Sequence, residues 1–280
     1  MKSLLSIKGL TQSDINQIFD IADNIDDYSN ILSSKNIVTF FPDTSVRTQI
    51  SFEVAIARLG GKVIHFPSTA LDRGEEIKDI AGYVDNWVDG VVVRHSSDDY
   101  MRELAENVSS YVINAMSKQA HPCEILSDLY AFKKLGIDIT NDVFVFIGPA
   151  GNIGNSYYEA SKILGYKFVQ VCIKGDEIKG AIVVYDVNEV ISSADVLLTD
   201  SLGEVQREKY ESLIVDENLI KNAKKEVVLN PCPPIHRGYE VSESVIDSDI
   251  FVGYGFKAYL EVVQAAIIVF LEKHRAEREK

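Results

Sequence analysis

Residues 37–53 read IVTFFPDTSVRTQISFE, and the pattern changes in the middle of this stretch. The run from Ile37 to Phe41 is β-branched and aromatic, which is typical of a buried strand. From Ile50 to Leu59 the apolar residues instead recur at helical spacing. The polar cluster Ser-Val-Arg-Thr between the two runs is therefore predicted to lie at a strand-to-helix turn.

The same alternation of short apolar strands and helical stretches continues along the chain. Four strands are predicted first, at Asn36–Phe41, Val63–Phe66, Gly90–Arg94 and Tyr111–Asn114, and a helix follows at Pro122–Leu135. The pattern restarts with DVFVFIGPAGNIGN and continues with KFVQVCI, AIVVYD, ADVLLTD, EVVLNP and IFVGYG. This order predicts an α/β fold with two doubly wound parallel-sheet domains joined by interdomain helices.

The segment LGIDIT, near Gly136–Thr140, separates the two series of strands with a glycine and a short polar link. We therefore predict a first domain over residues 1–136 and a second over 137–258. A last helix, Tyr259–Phe270, carries the apolar run YLEVVQAAIIVF and a charged tail. Residues 259–280 are predicted to complete the first domain.

The composition limits the class of protein. With 280 residues, 46% of them apolar, the chain can form two hydrophobic cores. A formal net charge of −14 disfavours nucleic acid or an anionic membrane as partner, because phosphate groups attract clustered Lys and Arg. No apolar stretch is expected to reach the roughly 20 residues of a bilayer span. Because the N-terminus turns polar too early for a signal peptide, a cytoplasmic location is predicted.

The three cysteines lie far apart and include no CxxC pair. Neither a disulfide framework nor a thiolate zinc site is therefore expected.

The turn after the first strand has the chemistry of a phosphate site. At a helix start the backbone N–H groups are unpaired and point outward at the positive end of the helix dipole. Ser45, Val46, Arg47 and Thr48 would offer these amides together with two hydroxyls and a guanidinium that can pair bidentately with phosphate. The alternative is a helix-capping Ser beside a solvated Arg.

Two further motifs lie where ligands of parallel sheets collect. Arg94 ends the strand in VVVRHS, at the carboxyl edge of the predicted sheet. HPCE, from His121 to Glu124, opens the next helix with Pro at an early position. Each motif taken alone also fits a surface charge or a capped helix start.

In this order, the motifs resemble those of the aspartate and ornithine carbamoyltransferase family. The family pattern Ser-Thr-Arg-Thr-Arg with Ser-Phe-Glu corresponds to SVRTQISFE, its strand-end Arg to VVVRHS, and its His-Pro-Thr/Cys-Gln to HPCE. The resemblance implies that Ser45 through Thr48 and Arg94 hold the phosphate of carbamoyl phosphate. His121 would donate to the carbamoyl oxygen and Glu124 would contact the amide. The family usually has Gln at the position of Glu124.

The glycine loop FIGPAGNIGNS separates two alternatives for the second domain. Its spacing is GxxGxxG rather than GxGxxG, and the next strand lacks a terminal acidic ribose ligand, which disfavours a dinucleotide site. The stretch resembles the ornithine-type NNMGNS, in which the Asn matching Asn155 binds the α-amino acid end of ornithine. No Arg occurs between Arg102 and Arg207, which disfavours aspartate as the acceptor.

Two more segments resemble the ornithine-type enzymes. LLTDSLGEVQ resembles TDVWVSMG shortened by three residues, which implies that Asp200, Ser201 and Leu202 bind the second substrate. NPCPPIHRGYEVS resembles HCLPAHRGxEVT, which implies the same role for Cys232 and Pro233, with Cys232 as a positioning residue rather than a nucleophile. A helix-capping Asp and a buried structural Cys are the alternatives. Near the C-terminus the family pattern supplies an Arg for the phosphate, and Lys257 is the nearest cation here.

The family is trimeric, with a neighbour's loop entering each active site. The matching loop is PSTALDRGEEIKD, in which either Ser68 or Arg73 would reach the neighbouring phosphate; an ordinary surface turn is the alternative.

The expected function is transfer of the carbamoyl group of carbamoyl phosphate to a primary amine, with ornithine or a related diamine or amino acid as the acceptor. The alternatives are aspartate carbamoyltransferase and a catalytically silent regulatory or assembly protein. Neither a metal nor an organic cofactor is implied.

Overall fold

The computed structural model describes residues 2–278, and the chain divides into two compact units. Unit 1 comprises the chain up to Tyr130 and again from Lys257 onward, and unit 2 comprises Ala131–Phe256.

Unit 1 is built on a four-stranded parallel sheet in the order β2-β1-β3-β4. Its strands are β1 (Asn36–Phe41), β2 (Lys62–Pro67), β3 (Gly90–Arg94) and β4 (Tyr111–Met116). Its helices are α1 (Gln12–Asp23), α2 (Val46–Arg58), α3 (Ile77–Val84), α4 (Asp98–Asn107), the first part of α5 (Pro122–Leu135) and α11 (Tyr259–Arg278). From β1 the chain winds first to β2 and then to β3 on the other side. The strand order therefore reverses between β1 and β3, where open α/β sheets bind ligands.

The core of unit 1 follows from the apolar runs of its strands. β1 is buried from Ile37 onward and β3 from Gly90 to Val93, because helices cover both faces of a parallel sheet. Gly90 allows close packing, since a Cβ there would lie 2.4 Å from the ring of Tyr111 on β4. α11 packs against α1 and α2, which supports its predicted return to the first domain.

Unit 2 contains a five-stranded parallel sheet in the order β7-β6-β5-β8-β9. Its strands are β5 (Val143–Ile147), β6 (Lys167–Val171), β7 (Ile182–Val184), β8 (Val196–Thr199) and β9 (Val228–Pro231). Its helices are α6 (Asn152–Leu164), α7 (Glu204–Tyr210), α8 (Glu217–Ile220), α9 (Glu243–Ile246) and α10 (Gly253–Lys257), the last residue of which already belongs to unit 1. The reversal of strand order lies between β5 and β8. The fold class predicted from the alternating pattern is confirmed.

One predicted strand is wrong. In the segment IFVGYG, Phe251 makes a single parallel bridge to Leu229, and the chain then enters α10. Glycines at positions 253 and 255 provide no side chains that could pack on a sheet. A Cβ on Gly253 would also lie 2.8 Å from the ring of Phe251. The helix predicted at Pro122–Leu135 has the bounds of α5.

The expectation that no segment has the length and apolarity of a membrane span needs correction. Within residues 2–278, one helical stretch, Gly253–Arg278, passes that test with a mean hydropathy of 1.5, although 61% of the relevant window is buried inside the protein. The apolar side chains from Val263 to Leu271 are buried in the described structure. This burial accounts for the apolarity of the helix.

Candidate functional site

The predicted phosphate cradle lies at the reversal point of the unit 1 sheet. β1 ends at Phe41, and α2 begins at Val46 with Ser45 as its N-cap residue. Ser45 makes no side-chain capping bond. Its hydroxyl instead accepts a 2.9 Å hydrogen bond from Nη1 of Arg94 at the end of β3. The alternative of a simple helix-capping serine is therefore wrong, and two of the predicted phosphate ligands lie together.

The first turn of α2 combines buried hydroxyls with exposed groups. Ser45 and Thr48 are 2% and 7% exposed, whereas Val46 and Arg47 are exposed. The N–H groups of this turn have no acceptor within the helix, as at any helix start. Backbone donors, two hydroxyls and two guanidinium groups therefore converge on the carboxyl edge of β1 and β3. This combination suits a multiply charged oxyanion.

His121 and Glu124 occupy the beginning of α5 and are buried. Burial lowers the pKa of His121 to about 4, against the opposing effect of Glu124, and the nearby charges of Arg94 and Lys257 lower it further. His121 is therefore a neutral imidazole at pH 7, with one ring N–H to donate.

Glu124 has the opposite electrostatic setting. Burial disfavours its ionised form, but Lys257, His121 and Arg47 together hold the pKa of the carboxyl below its ordinary value. Nζ of Lys257 lies 2.5 Å from Oε1 of Glu124 and 3.0 Å from Oδ1 of Asp128. Asp128 is not among the residues predicted from the sequence. It lies four residues after Glu124 on the same helix face, a spacing that provided a usable signal.

The predicted neighbour loop follows β2. Ser68 begins a short 3₁₀ turn and is 9% exposed, and Arg73 lies on the exposed chain after that turn. Two contacts hold this loop near the end of β3. Nε2 of His95 is 3.1 Å from Oδ1 of Asp72, and the hydroxyl of Tyr100 donates to the carbonyl of Leu71 at 3.1 Å. The loop thus lies on the same edge of the sheet as Arg94.

In unit 2, the glycine loop lies at the reversal point between β5 and β8. Close packing explains Gly154, because a Cβ there would lie 2.6 Å from the ring of Phe146 on β5. A Cβ on Gly151 would lie 3.6 Å from Oδ2 of Asp200, which follows β8. Asn155 lies half-buried in the first turns of α6. The structure therefore brings the glycine loop and Asp200 together.

Asp200 is not a helix cap. The N-cap residue of α7 is Gly203, and Oδ1 of Asp200 instead accepts from the backbone N–H of Ser201 at 2.8 Å. Burial raises the pKa of Asp200 to about 6, the N–H of Ser201 opposes the shift, and the charge of Glu240 adds to it. A carboxylate in this setting gains from the arrival of a cationic group.

The other predicted second-substrate residues differ in what they can offer. The side chain of Leu202 is 5% exposed and belongs to the hydrophobic core of unit 2, so only its backbone can contribute to a site. Ser201, Cys232 and Pro233 are half-buried. The N–H of Cys232 donates to the carbonyl of Thr199 at 2.9 Å, which joins the two loops after β8 and β9.

Glu240 is a further buried acidic residue of unit 2 that was not predicted from the sequence. This residue is 4% exposed, and its carboxylate accepts from the backbone N–H of Leu202 at 2.8 Å and of His236 at 2.9 Å. Nδ1 of His236 lies 3.2 Å from the same carboxylate. Glu240 therefore ties the loop after Asp200 to the loop after Cys232. Only its place in the motif HRGYEV hinted at a role.

The part of the chain that the structure describes contains no obvious metal-binding site. Across residues 2–278, no group of three or more His, Cys, Asp or Glu side chains is arranged to hold an ion.

The fold is that of ornithine carbamoyltransferases of known structure. The anabolic enzyme of Campylobacter jejuni superimposes with a TM-score of 0.89 at 27% identity, covering 98% of this chain and 100% of that chain. The enzyme of Burkholderia thailandensis gives a TM-score of 0.90 at 26% identity, covering 97% and 98%. In sequence, the ornithine carbamoyltransferase of Campylobacter hominis is 30% identical over an alignment of 310 positions, which covers 98% of this chain and 99% of that protein.

The family models agree with this likeness. Residues 2–134 match the carbamoyl-P binding domain of the aspartate/ornithine carbamoyltransferases, and residues 141–271 match their Asp/Orn binding domain. The chain therefore belongs to the aspartate/ornithine carbamoyltransferase family, and it is a carbamoyltransferase. The resemblance drawn from the sequence motifs is confirmed.

Proposed function

We propose that the protein transfers the carbamoyl group of carbamoyl phosphate to the side-chain amine of ornithine, giving citrulline and phosphate. The observation that carries the proposal is the Arg94–Ser45 hydrogen bond at the start of α2, because it joins two separate motifs into one anion site. The relatives named ornithine carbamoyltransferase favour ornithine over aspartate as the acceptor.

The unit 1 residues would bind carbamoyl phosphate. Arg47, Arg94 and the first-turn amides of α2 would hold the phosphate, with Ser45 and Thr48 as neutral donors. His121, neutral at pH 7, would donate its N–H to the carbamoyl carbonyl oxygen. Such a bond strengthens as that oxygen gains negative charge during attack, so it stabilises the transition state more than the substrate.

The unit 2 residues would hold the acceptor. Asp200 would orient the amine, Asn155 would bind the amino acid end, and Cys232 with Pro233 would position the nitrogen. In the reaction, a bond forms between the neutral amine nitrogen and the carbamoyl carbon while the bond from that carbon to the phosphate oxygen breaks. The leaving phosphate takes the proton that the nitrogen loses. The proposal assigns carbamoyl phosphate to residues 1–136 and 259–280, and the amine to 137–258.

We also propose a cytoplasmic homotrimer, in which Ser68 or Arg73 reaches the neighbour's site. An exposed apolar stripe on α2 supports the assembly, since Val46, Ile50 and Val54 lie four residues apart and are 60%, 56% and 50% exposed. Light scattering should give the mass of three chains. Val54→Glu should reduce that mass to one chain, and an unchanged mass would mean that this stripe is not the interface.

A product assay tests the activity. Purified protein and carbamoyl phosphate are mixed with ornithine, putrescine, lysine, diaminopropionate or aspartate, and the ureido product is measured by colorimetry. Ornithine should give the highest kcat/KM. A higher value with another amine would reassign the acceptor, and product from aspartate alone would favour the aspartate enzyme. No product from any amine would favour a catalytically silent member of the family.

A further inference from the structure

Three charged side chains form a buried cluster in unit 1, called here the Lys257 cluster: Glu124, Asp128 and Lys257. The two carboxylates lie one helical turn apart on α5, and the ammonium of Lys257 donates to both. The side chains of Glu124 and Asp128 are 6% and 2% exposed, and that of Lys257 is 20% exposed. Two carboxylates this close in a buried place repel each other when ionised, and the ammonium that contacts both offsets this repulsion.

The cluster begins beside the candidate anion site along the chain, because Glu124 lies in the first turn of α5, three positions after His121. Glu124 is within electrostatic reach of Arg47, and His121 is within reach of both Arg94 and Lys257. A buried ion pair far from the site would influence none of these groups. The Lys257 cluster is therefore continuous with the residues that would hold the phosphate and the carbonyl oxygen.

The chemistry of Glu124 depends on this ammonium. A doubly charged phosphate bound by Arg47 would engage the cation that helps to keep Glu124 ionised, and its own charge would favour protonation of the carboxyl. A protonated carboxyl donates a hydrogen bond, whereas an ionised one only accepts. The NH2 group of a carbamoyl only donates. A protonated carboxyl could still accept through its carbonyl oxygen, but an ionised carboxylate is the stronger acceptor and presents no competing O–H donor.

We propose that Lys257 is a positioning residue for substrate selection: its ammonium, anchored by Asp128, keeps Glu124 as an ionised acceptor for the carbamoyl NH2 group. The protein then selects carbamoyl phosphate over acyl phosphates of similar shape that carry a methyl group there. The inference rests on the proposed function, and it assigns to Lys257 a role other than direct grip on the phosphate.

Two stable phosphonates that differ only in the group expected to contact Glu124 can test this selection. Phosphonoacetamide carries the NH2 group, and acetonylphosphonate carries a methyl group in its place. Calorimetric titration of the full-length protein should show that phosphonoacetamide binds about 10- to 100-fold more tightly, as expected for a hydrogen bond to a charged group. Lys257→Met should reduce this preference to less than about threefold, with a smaller change in the affinity for acetonylphosphonate.

Three further variants separate positioning from a merely structural role. Lys257→Arg keeps the charge and should keep the preference. Glu124→Gln combined with Lys257→Met should regain part of the preference, because a neutral amide needs no counter-charge to accept one hydrogen bond. If Lys257→Met fails to fold, this double variant tests the same role of Lys257. Lys273→Met, on the exposed side of α11, is the matched control and should bind both phosphonates as the wild type does.

The outcomes are separable. An unchanged preference in Lys257→Met would overturn the role of Lys257, as would an equal loss of affinity for both phosphonates, which would mean a grip on the phosphate. Wild-type protein that binds both phosphonates equally would overturn the selection while leaving the anion site intact. Wild-type protein that binds neither phosphonate would overturn the proposed function and this inference together.

Discussion

The two units place their candidate sites at the same topological position but line them with opposite charges. In unit 1 the reversal point between β1 and β3 is flanked by Arg47 and Arg94. In unit 2 the reversal point between β5 and β8 is flanked by Asp200, with Glu240 close by. The topology thus determines where a ligand collects, and the side chains on the loops determine which charge that ligand carries.

Glu124 in unit 1 and Asp200 in unit 2 also differ, because their pKa values shift in opposite directions. Glu124 is buried and Asp200 is half-buried, and desolvation disfavours the ionised form of each. In unit 1, Lys257, His121 and Arg47 overcome this effect and hold the pKa of Glu124 below its ordinary value. In unit 2, Glu240 adds to it, and the pKa of Asp200 rises to about 6. Glu124 is thus compensated within the protein, whereas Asp200 gains most from a cationic substrate.

The largest effect is expected from removal of a unit 1 cation. Arg94→Ala deletes a phosphate ligand and the donor to Ser45, so kcat/KM for carbamoyl phosphate should fall about 1000-fold. Steady-state kinetics with ornithine at saturation measures this. Arg102→Ala removes an exposed Arg that pairs with Asp99, and it should leave the rate unchanged. A loss of less than about tenfold in Arg94→Ala would contradict the cationic site.

A somewhat smaller effect is expected from neutralising the unit 2 carboxylate. Asp200→Asn keeps the shape of the side chain but removes its charge, so kcat/KM for ornithine should fall on the order of 100-fold. The affinity for phosphonoacetamide should stay at the wild-type value, because that ligand binds in unit 1. If both affinities fell together, the division of charge between the two units would not correspond to a division of substrates.

The binding of ornithine should also depend on pH. Because the pKa of Asp200 is about 6, its ionised fraction falls about tenfold for each pH unit well below that value. The KM for ornithine should therefore rise as the pH falls from 7 to 5. His121, with a pKa of about 4, stays neutral over this range and adds no inflection. In Asp200→Asn the inflection near pH 6 should disappear, and its persistence would assign it to another group.

The raised pKa of Asp200 also determines how the free energy of unfolding depends on pH. The folded pKa of Asp200 lies above its ordinary value of 3.8, so between about pH 4 and 6 the folded state binds more protons than the unfolded state. Its contribution to the free energy of unfolding therefore falls as the pH rises through that window and stays constant above it.

The smallest effect is expected at the residue that joins the two unit 2 loops. Glu240→Gln keeps an acceptor for one backbone N–H but loses the charge-assisted bonds to Leu202 and His236. The KM for ornithine should rise about three- to tenfold with little change in kcat. Glu240→Gln should also lower the pKa of Asp200, which would shift the pH dependence of the KM for ornithine to lower pH. An unshifted profile would mean that the two carboxylates do not interact.

Much of the fold was readable from local patterns. The β-branched runs that end at Phe41 and Arg94, and the helix at Pro122–Leu135, depend on the character of neighbouring residues, and the structure confirms them. The segment IFVGYG failed because a run of apolar residues does not reveal whether a neighbouring strand will pair with it over more than one bridge.

The candidate site likewise contains residues that local patterns predicted and charge partners that they did not. Local patterns were enough to predict that Ser45, Arg47, Arg94 and His121 lie at the ends of strands or starts of helices, because the geometry of a strand-to-helix turn is local. The charge partners depend on the folded structure, since Lys257 is 133 positions from Glu124 and 129 from Asp128, and Glu240 is 38 from Leu202. The physical reason is that the pKa of a buried group depends on charges that folding brings near it, whatever their distance along the chain.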